Sequence, residues 1–515
     1  RGPGMHAAAP VIRRALALGA LAASVFAVAG CGRSAQVDPG AVPSAGTLAR
    51  VRIPAADWTR FNYDAQRGGV GPAATGLGPH NVGALRLRTV KLPGTVDASA
   101  IELHGVVVRG HQHDVAIMTT TYGRTLAIDP ASGKILWEFT PADIGSYEGS
   151  SRITTATPVL DPDRRFVYAA SPDGRIHKLA VASGREVRAR GWPASVTLDP
   201  THEKIASALN ISGGSVVVTT GGYLGDAPPY QGHVAMVDRA SGRITAVWNS
   251  LCSDRHGLIV PRTCPASDSA IWARAGAVIE PGSGRILLAT GNAPFNGSTD
   301  WGDSVLELSP DARRLLHNWT PTNQARLNSS DADLGSTAPA ILPTYHGRRL
   351  AVQGGKAGVL DLLDLDRLNG TPGGASARLG GQIQELEAPG GSEVFTAPAV
   401  WTQRGRIWVF VADGAGTSAY VLGGGGAHPH LSVAWRSGSG GTSPVIAGGL
   451  LYVYDPAAAL DVYLPAVGRR LVSLPAGSGH WNSPIVAGGR VILPIGNAND
   501  HATSATLDIF HLPHH

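Results

Sequence analysis

One hairpin pattern recurs along this chain and limits the folds open to it more than any other feature. It is clearest in Ala127–Trp137 (AIDPASGKILW), and altered copies occur in Leu179–Val187, Met236–Trp248 and Leu306–Trp319. Each copy has an apolar run, a turn rich in Ser, Asp or Gly, a second apolar run and often a terminal Trp. Because Gly accepts the positive φ that tight hairpin turns require, the pattern predicts repeated β-hairpins.

The copies return at a period of roughly 40–50 residues, which is typical of propeller blades that bury their faces only against their neighbours. Such units can be marked at Ala100–Phe139, Thr155–Trp192, Ser207–Trp248, Arg274–Trp319, Gly335–Leu386, Val394–Trp435, Gly440–Pro475 and His480–Pro513. The last unit lacks a clear fourth strand, and Asn81–Leu92 can supply it and remove an open sheet edge. The sequence therefore predicts an all-β, eight-bladed β-propeller of four-stranded antiparallel blades over residues 57–513.

Short Pro-containing motifs stand at the beginning of several units. They are Thr157–Leu160, Ala338–Ile341, Ala397–Val400, Ser443–Ile446 and Ser483–Val486. Pro at the first residue of a strand gives up no ladder hydrogen bond, so each motif predicts the start of an innermost strand.

Residues 1–30 have the features of a signal peptide. Arg13–Arg14 precede an apolar run that is too short to span a membrane comfortably. Val28–Cys31 (VAGC) resembles a bacterial lipobox, which predicts lipidation of Cys31, and a plain secretory signal with a chance Cys is the alternative. Residues 31–56 are small, polar and Pro-containing, typical of a flexible tether. These features predict an extracytoplasmic protein held to the bacterial membrane by its lipid.

Charge and cysteine usage exclude some functions. The 43 basic and 38 acidic residues nearly balance, so no basic stripe predicts nucleic-acid binding. No CxxCH motif is present, which argues against an attached haem. Cys252 and Cys264, in an oxidising compartment, favour a loop disulfide, whereas a metal site lacks a second Cys or His pair at suitable spacing.

Taken together, these motifs resemble the eight-bladed propeller of pyrroloquinoline-quinone (PQQ) dehydrogenases. AIDPASGKILW is similar to that family's tryptophan-docking motif, in which the Trp stacks on a peptide plane of the next blade. The resemblance covers residues 57–513 and implies PQQ and Ca²⁺ as cofactors. It implies the fold more strongly than the activity, because outer-membrane assembly lipoproteins share the repeat and serve as scaffolds.

The resemblance also implies a calcium and quinone site. Asp226 would replace a calcium-ligating Glu, with a turn cap as the alternative. Asn292 matches a calcium-ligating Asn. Trp272 lies near the ring-stacking position, although inter-blade packing would also explain it. Arg152 follows Ser150–Ser151, near the place of the family's vicinal cysteine pair, and is interpreted as a cofactor contact.

The stretch NSSDADLGSTAP resembles the segment that carries the family's catalytic Asp. Asp331 and Asp333 are expected on one face of an extended strand, with Asp333 favoured as general base and metal ligand and Asp331 as helper. A cation would relieve their mutual repulsion. Lys356 matches a residue that contacts the quinone oxygens, with a solvated turn Lys as the alternative.

Two functions remain open at this point. The first is an exported Ca²⁺ and PQQ-dependent dehydrogenase that oxidises small alcohols or sugars by hydride transfer. The second is a non-catalytic lipoprotein propeller that binds a protein or another component of the cell envelope.

Overall fold

Strands account for almost all regular structure in residues 57–223 and 227–513, the parts of the chain that the computed structural model describes. The predicted signal peptide, Cys31, the tether and Asp226 lie outside these residues. Within them, no helix has the length and apolar character needed to cross a bilayer.

The described strands form eight antiparallel sheets, and the predicted eight-bladed propeller is confirmed. The first strand of the chain is β1 (Arg86–Leu92). Blade 1 contains β2 (Ile101–Val108), β3 (His111–Thr119), β4 (Thr125–Ile128) and β5 (Ile135–Phe139). Blade 2 contains β6 (Val159–Leu160), β7 (Phe166–Ser171), β8 (Arg175–Ala180) and β9 (Ala194–Ser195). Blade 3 contains β10 (Glu203–Ile205), β11 (Asn210–Ser212), β12 (Ser215–Gly222), β13 (His233–Asp238) and β14 (Ile244–Asn249).

The remaining blades follow the same order, innermost strand first. Blade 4 contains β15 (Val278–Ile279), β16 (Ile286–Ala289), β17 (Val305–Leu308) and β18 (Leu315–Trp319). Blade 5 contains β19 (Ala340–Ile341), β20 (Leu350–Gln353), β21 (Val359–Asp364) and β22 (Gln384–Glu387). Blade 6 contains β23 (Ala399–Gln403), β24 (Arg406–Ala412), β25 (Thr417–Gly423) and β26 (His430–Ser437). Blade 7 contains β27 (Val445–Ala447), β28 (Leu450–Asp455), β29 (Ala459–Leu464) and β30 (Arg469–Pro475).

Blade 8 closes the ring with both ends of the described chain. It contains β31 (Ile485–Ala487), β32 (Arg490–Ile495) and β33 (Ala505–His511), and β1 is its outermost strand. The antiparallel register of β1 on β33 runs from Arg86 opposite His511 to Leu92 opposite Ala505. Closure by the N-terminal strand is thus as the sequence predicts.

In residues 57–223 and 227–513, helical structure is confined to short connections. The α-helix α1 covers Gln324–Ser329. Short 3-10 helices occur at Val82–Ala84, Ile144–Ser146, Pro261–Thr263, Leu334–Ser336, Leu368–Gly370 and Ala498–Asp500.

The hydrophobic core lies between the faces of neighbouring blades. Val115 and Ile117 of β3 belong to one buried cluster with Val167 and Ala169 of β7, which joins blades 1 and 2. Because each central strand buries residues on both faces, a single blade cannot cover its own apolar surface.

Tryptophans at the end of the hairpin pattern join successive blades. The Trp137 indole N–H donates to the carbonyl of Val181 in blade 2 at 2.7 Å, and its ring lies on the backbone of Gly184. Trp435 of blade 6 repeats the arrangement, donating to Pro465 of blade 7 at 2.7 Å over Gly468. These Trp residues are therefore structural.

Replacing Gly184 by Ala should destabilise the fold sharply. Its φ of +70° is unfavourable for Ala, and the new Cβ would lie 2.6 Å from the Trp137 ring. We expect a loss of about 2–5 kcal/mol from backbone strain and overpacking together, measured by urea unfolding. Gly405→Ala is the matched control, since Gly405 has a φ of +75° with no atom near its Cβ position. Equal losses of unfolding free energy in the two variants would contradict the role of the Trp137–Gly184 contact in joining the blades.

Candidate functional site

A pocket of about 430 Å³ lies where the blades converge. Six of its lining residues stand four positions before the first residue of an innermost strand, one from each of blades 1, 2, 3, 4, 6 and 8. They are Asp97, Thr155, Ala206, Arg274, Phe395 and Trp481. Because only the axis adjoins so many blades, the pocket is axial, in the position where propellers offer their ligand sites.

One end of the pocket holds two carboxylates around one ammonium group. Lys356 Nζ lies 2.9 Å from Asp331 Oδ1 and 2.5 Å from Asp333 Oδ2. Asn292 bridges the same pair, since its backbone N–H donates to Asp333 at 2.8 Å and its side-chain amide donates to Asp331 at 2.8 Å. Burial opposes the charge of Lys356, but the Asp333 and Asp331 carboxylates outweigh it and raise the pKa of the lysine.

The two carboxylates reach this position from a turn, and the expected extended strand is wrong. Asp331 has a φ of +52°, just after helix α1, and Asp333 directly precedes the 3-10 helix Leu334–Ser336. The side chain of Asp331 is 65% exposed and that of Asp333 is 9% exposed. A Cβ at Gly291 would overlap Asp333, so the backbone there must be glycine for the carboxylate to approach.

A third carboxyl group lies behind Asp333. Burial, reinforced by the charge of Asp333 and opposed by a hydrogen bond from the Leu334 N–H, raises the pKa of Asp303 to about 8. Burial therefore favours the neutral form of Asp303 beside the Lys356–Asp333 ion pair.

The opposite wall is basic. Arg274 donates to the Asp97 carbonyl at 3.0 Å and pairs with its carboxylate at 3.3 Å, and His480 Nδ1 lies 2.7 Å from the same carboxylate. Lys204 lies close by, and burial together with the charge of Arg274 lowers its pKa to about 8. Within residues 57–223 and 227–513, no hydrogen bond or ion pair reaches the Lys204 ammonium. This wall therefore favours an anionic group.

Three aromatic rings connect the two walls. The Trp272 ring centroid lies 6.0 Å from those of Phe395 and Trp481, and the latter two lie 4.3 Å apart, edge to face. Lys356 Nζ lies 5.5 Å from the Trp272 centroid, and the Arg274 guanidinium lies 4.9 Å from that of Trp481. The pocket thus offers flat apolar surfaces with cations at their edges, an arrangement suited to a planar anion.

The fold has counterparts among known proteins. The structure resembles the quinohemoprotein alcohol dehydrogenase from Comamonas testosteroni, with a TM-score of 0.63 and 16% identity over 89% of this chain and 82% of the other. It resembles alcohol dehydrogenase ADHIIG from Pseudomonas putida HK5 with a TM-score of 0.64 and 14% identity, covering 88% and 80% of the two chains. A europium-containing methanol dehydrogenase matches with a TM-score of 0.62 and 16% identity over 90% and 99%. These likenesses establish the fold, an eight-bladed propeller.

The sequence comparisons are narrower in extent. A family profile described as outer membrane protein assembly factor BamB matches residues 95–255 of the propeller. Comparison with curated proteins gives no significant match. At such low identities the structural neighbours establish the fold alone, and the activity has to be argued from the pocket.

The donor atoms of the acidic end fit a hard cation. Asn292 Oδ1 is buried and accepts no hydrogen bond from the described residues, whereas the amide nitrogen of the same side chain donates to Asp331. This oxygen lies beside the carboxylates of Asp331 and Asp333, and oxygen atoms of these kinds are what Ca²⁺ takes as ligands. A cation here would compete with the Lys356 ammonium for both carboxylates.

The structure brings together most of the site residues expected from the sequence. Trp272, Asp331, Asp333 and Lys356 line the axial pocket, and Asn292 contacts two of them. The remaining residues are placed elsewhere or are not described, as follows.

Arg152 does not line the pocket. Its guanidinium donates to the Pro172 carbonyl at 3.3 Å and lies 5.6 Å from the Tyr147 ring centroid, so the structure gives it no direct cofactor contact. Cys252 and Cys264 are joined by a disulfide in the loop after β14. Asp226, the expected calcium ligand, lies outside the described residues.

Sequence reasoning missed the basic and aromatic walls. Asp97, Lys204, Arg274, Phe395, His480 and Trp481 were absent from the expected site. A signal for two of them exists, because Phe395 and Trp481 each stand two residues before a Pro-containing motif. Those motifs mark innermost strands, so the preceding residues must face the axis.

Asp97 should make the free energy of unfolding of the propeller depend on pH. Burial opposes its charge, but Arg274, His480 and the Ala498 N–H outweigh burial and hold the pKa of Asp97 well below its usual range. A carboxyl group whose pKa is lowered by folding stabilises the fold above its unfolded pKa of about 3.9 and loses that contribution as the pH falls.

We therefore expect Asp97→Asn to cost about 3–5 kcal/mol at pH 7, because Arg274 loses its partner. The difference in free energy of unfolding between the variant and the parent protein should become smaller as the pH falls below about 4. Urea unfolding from pH 3 to pH 7 measures this, with the exposed Asp163→Asn as control. A gap that stays constant over this range would contradict the assignment.

Proposed function

We propose that the axial pocket binds a planar quinone bearing carboxylate groups, PQQ or a close analogue, and that the protein is a quinoprotein-type dehydrogenase of small alcohols or sugars. The observation that carries this proposal is the meeting of the Asp333–Lys356 ion pair and the Trp272 ring in one pocket, with Asn292 bound to both carboxylates beside it. A scaffold protein has no need of such an arrangement on its axis.

Each wall of the pocket has a part in this function. Trp272 would hold the face of the ring, and Lys204 and Arg274 would pair with its carboxylates. Lys356 would stabilise negative charge that develops on the ring oxygens. Asp333, with Asn292 and Asp331, would hold the cation, and Asp333 would accept the hydroxyl proton of the substrate. The bound quinone supplies the hydride acceptor.

The location of the protein belongs to the same proposal. The lipobox-like Val28–Cys31 and the apolar run before it support export and lipid anchoring in the cell envelope. Electrons taken from the substrate would then leave the protein outside the cytoplasm.

A second function is favoured by a different observation. The family profile that matches residues 95–255 is that of an outer-membrane assembly factor. The sequence also has no vicinal cysteine pair of the kind expected from the quinoprotein resemblance, and Ser150–Ser151 lie near that place. A non-catalytic propeller that binds an envelope protein is therefore the competing proposal.

Reconstitution distinguishes the two. Purified protein is titrated with PQQ in the presence of Ca²⁺ or, following the europium-containing neighbour, Eu³⁺. We expect a cofactor absorbance band, a rise in Tm and reduction of an artificial electron-accepting dye with an alcohol or sugar. Asp333→Asn should retain PQQ binding and lose dye reduction by about 10²–10⁴-fold, as expected for a general base.

The basic wall gives an independent test of binding. Lys204→Met should weaken PQQ binding by about 10–100-fold, the usual range for loss of a charged hydrogen bond. Lys134→Met, in an exposed hairpin turn, is the matched control and should bind normally. Failure to bind micromolar PQQ with either cation would reject the quinoprotein proposal and favour the scaffold.

A further inference from the structure

A second cluster of metal-binding side chains lies in blade 1, among residues that the dehydrogenase proposal does not use. Glu102 and His104 of β2 and Asp114 of β3 each place one ligand atom within 4.8 Å of the others. Alternation along β2 puts the first two on one face. The pairing of Leu103 with Val115 then brings Asp114 opposite them.

The two buried residues of this cluster, Glu102 and His104, have polar atoms without a hydrogen-bond partner among the described residues. Glu102 is fully buried, and neither of its carboxylate oxygens accepts a hydrogen bond from the described residues. His104 is 8% exposed, and its Nε2 likewise has no partner there. Burying an unpaired carboxylate costs several kcal/mol, which a bound cation would offset.

Neighbouring charged groups contact Asp114 and His104 but do not contact the carboxylate of Glu102. His104 Nδ1 lies 3.2 Å from Asp114 Oδ1, and Arg490 of β32 lies 3.3 Å from the other Asp114 oxygen. Asp57 accepts a hydrogen bond from the His104 backbone N–H and pairs with Arg164 at 2.7 Å. None of these groups satisfies the oxygens of Glu102.

We propose that Glu102, His104 and Asp114 bind a divalent first-row transition metal, with Zn²⁺ as the simplest occupant. One imidazole and two carboxylates are a ligand set that Zn²⁺ accepts, whereas Ca²⁺ takes six to eight oxygens. Ligands about 2.0–2.1 Å from a tetrahedral Zn²⁺ lie about 3.3 Å apart, and His104 and Asp114 are already at 3.2 Å. Glu102 would move inward to complete the site.

The position of the cluster indicates a structural role. The backbone of Glu102 pairs with Trp58 of the N-terminal segment, and the His104 ring packs against Gly488 of blade 8. A metal here would therefore fasten the junction at which the ring closes. The side chain of Asp114 is 31% exposed and gives the ion a path from solvent.

The test uses the purified, PQQ-free protein and Zn²⁺ alone. One equivalent of Zn²⁺ should bind with micromolar or tighter Kd in calorimetry and raise Tm by about 2–5 °C once in excess over Kd. Co²⁺ in place of Zn²⁺ should give a visible absorption band. Glu102→Gln keeps the shape of the side chain and should weaken Zn²⁺ binding by more than tenfold, with loss of the Tm shift and the band.

Three further variants test whether Zn²⁺ binds at this cluster. Asp114→Asn, at a partly exposed position that should not disturb folding, is expected to behave like Glu102→Gln. His113→Asn is the matched control, because His113 neighbours Asp114 on β3 but pairs with Asp129 at 3.3 Å, and it should bind Zn²⁺ normally. Asp333→Asn should also bind normally, which separates this site from the axial pocket. Absent Zn²⁺ binding, or binding unchanged in both Glu102→Gln and Asp114→Asn, would overturn the proposal.

Discussion

The contact between a tryptophan ring and a glycine in the next blade is the interaction on which the architecture depends. Trp137 on Gly184 and Trp435 on Gly468 use the same hydrogen bond from an indole N–H to a carbonyl of the neighbouring blade. Each blade presents apolar residues on both faces and has nowhere to bury them except against its neighbours. Once the outer edges are fixed in this way, the inner ends of the strands are fixed as well, and the pocket is the space left between them.

The axial pocket is assembled from positions that are equivalent in the repeat but different in chemistry. Four residues before an innermost strand, the chain places an Asp in blade 1, an Arg in blade 4, and aromatic rings in blades 6 and 8. These residues lie outside the apolar clusters between the blade faces, so their chemistry can differ from one blade to the next. A symmetric scaffold thereby presents an asymmetric site with one acidic end, one basic wall and aromatic surfaces between them.

The sequence predicted those parts of the molecule that depend on local pattern. Hairpins, blade boundaries and the pairing of β1 with β33 follow from apolar periodicity, turn residues and the need to close an open edge. Trp272, Asn292, Asp333 and Lys356 were expected from a family resemblance, and they do lie together.

The parts that escaped prediction depend on contacts between distant residues. Asp97 pairs with His480, which lies 383 positions further along the chain, and no local sequence pattern predicts that pairing. The sequence predicts a strand at Asp331 and Asp333, where the structure has a turn, because two carboxylates separated by one residue are compatible with either conformation. The positive φ of Asp331 decides between them, and Asp is one of the few residues that tolerates it.

Closure of the ring by β1 also bears on how the protein reaches its native state. Among the described strands, the first to be synthesised pairs with the last, and Thr89 and Asp508, which share a hydrogen bond, are 419 residues apart. Throughout synthesis β1 has no partner, and the last blade cannot form until translation of the C-terminal strand is complete. Contacts of such high sequence separation slow folding, so an unfinished chain carries an exposed strand edge for most of its assembly. Loss of even a few residues at the end of β33 would leave that edge open permanently.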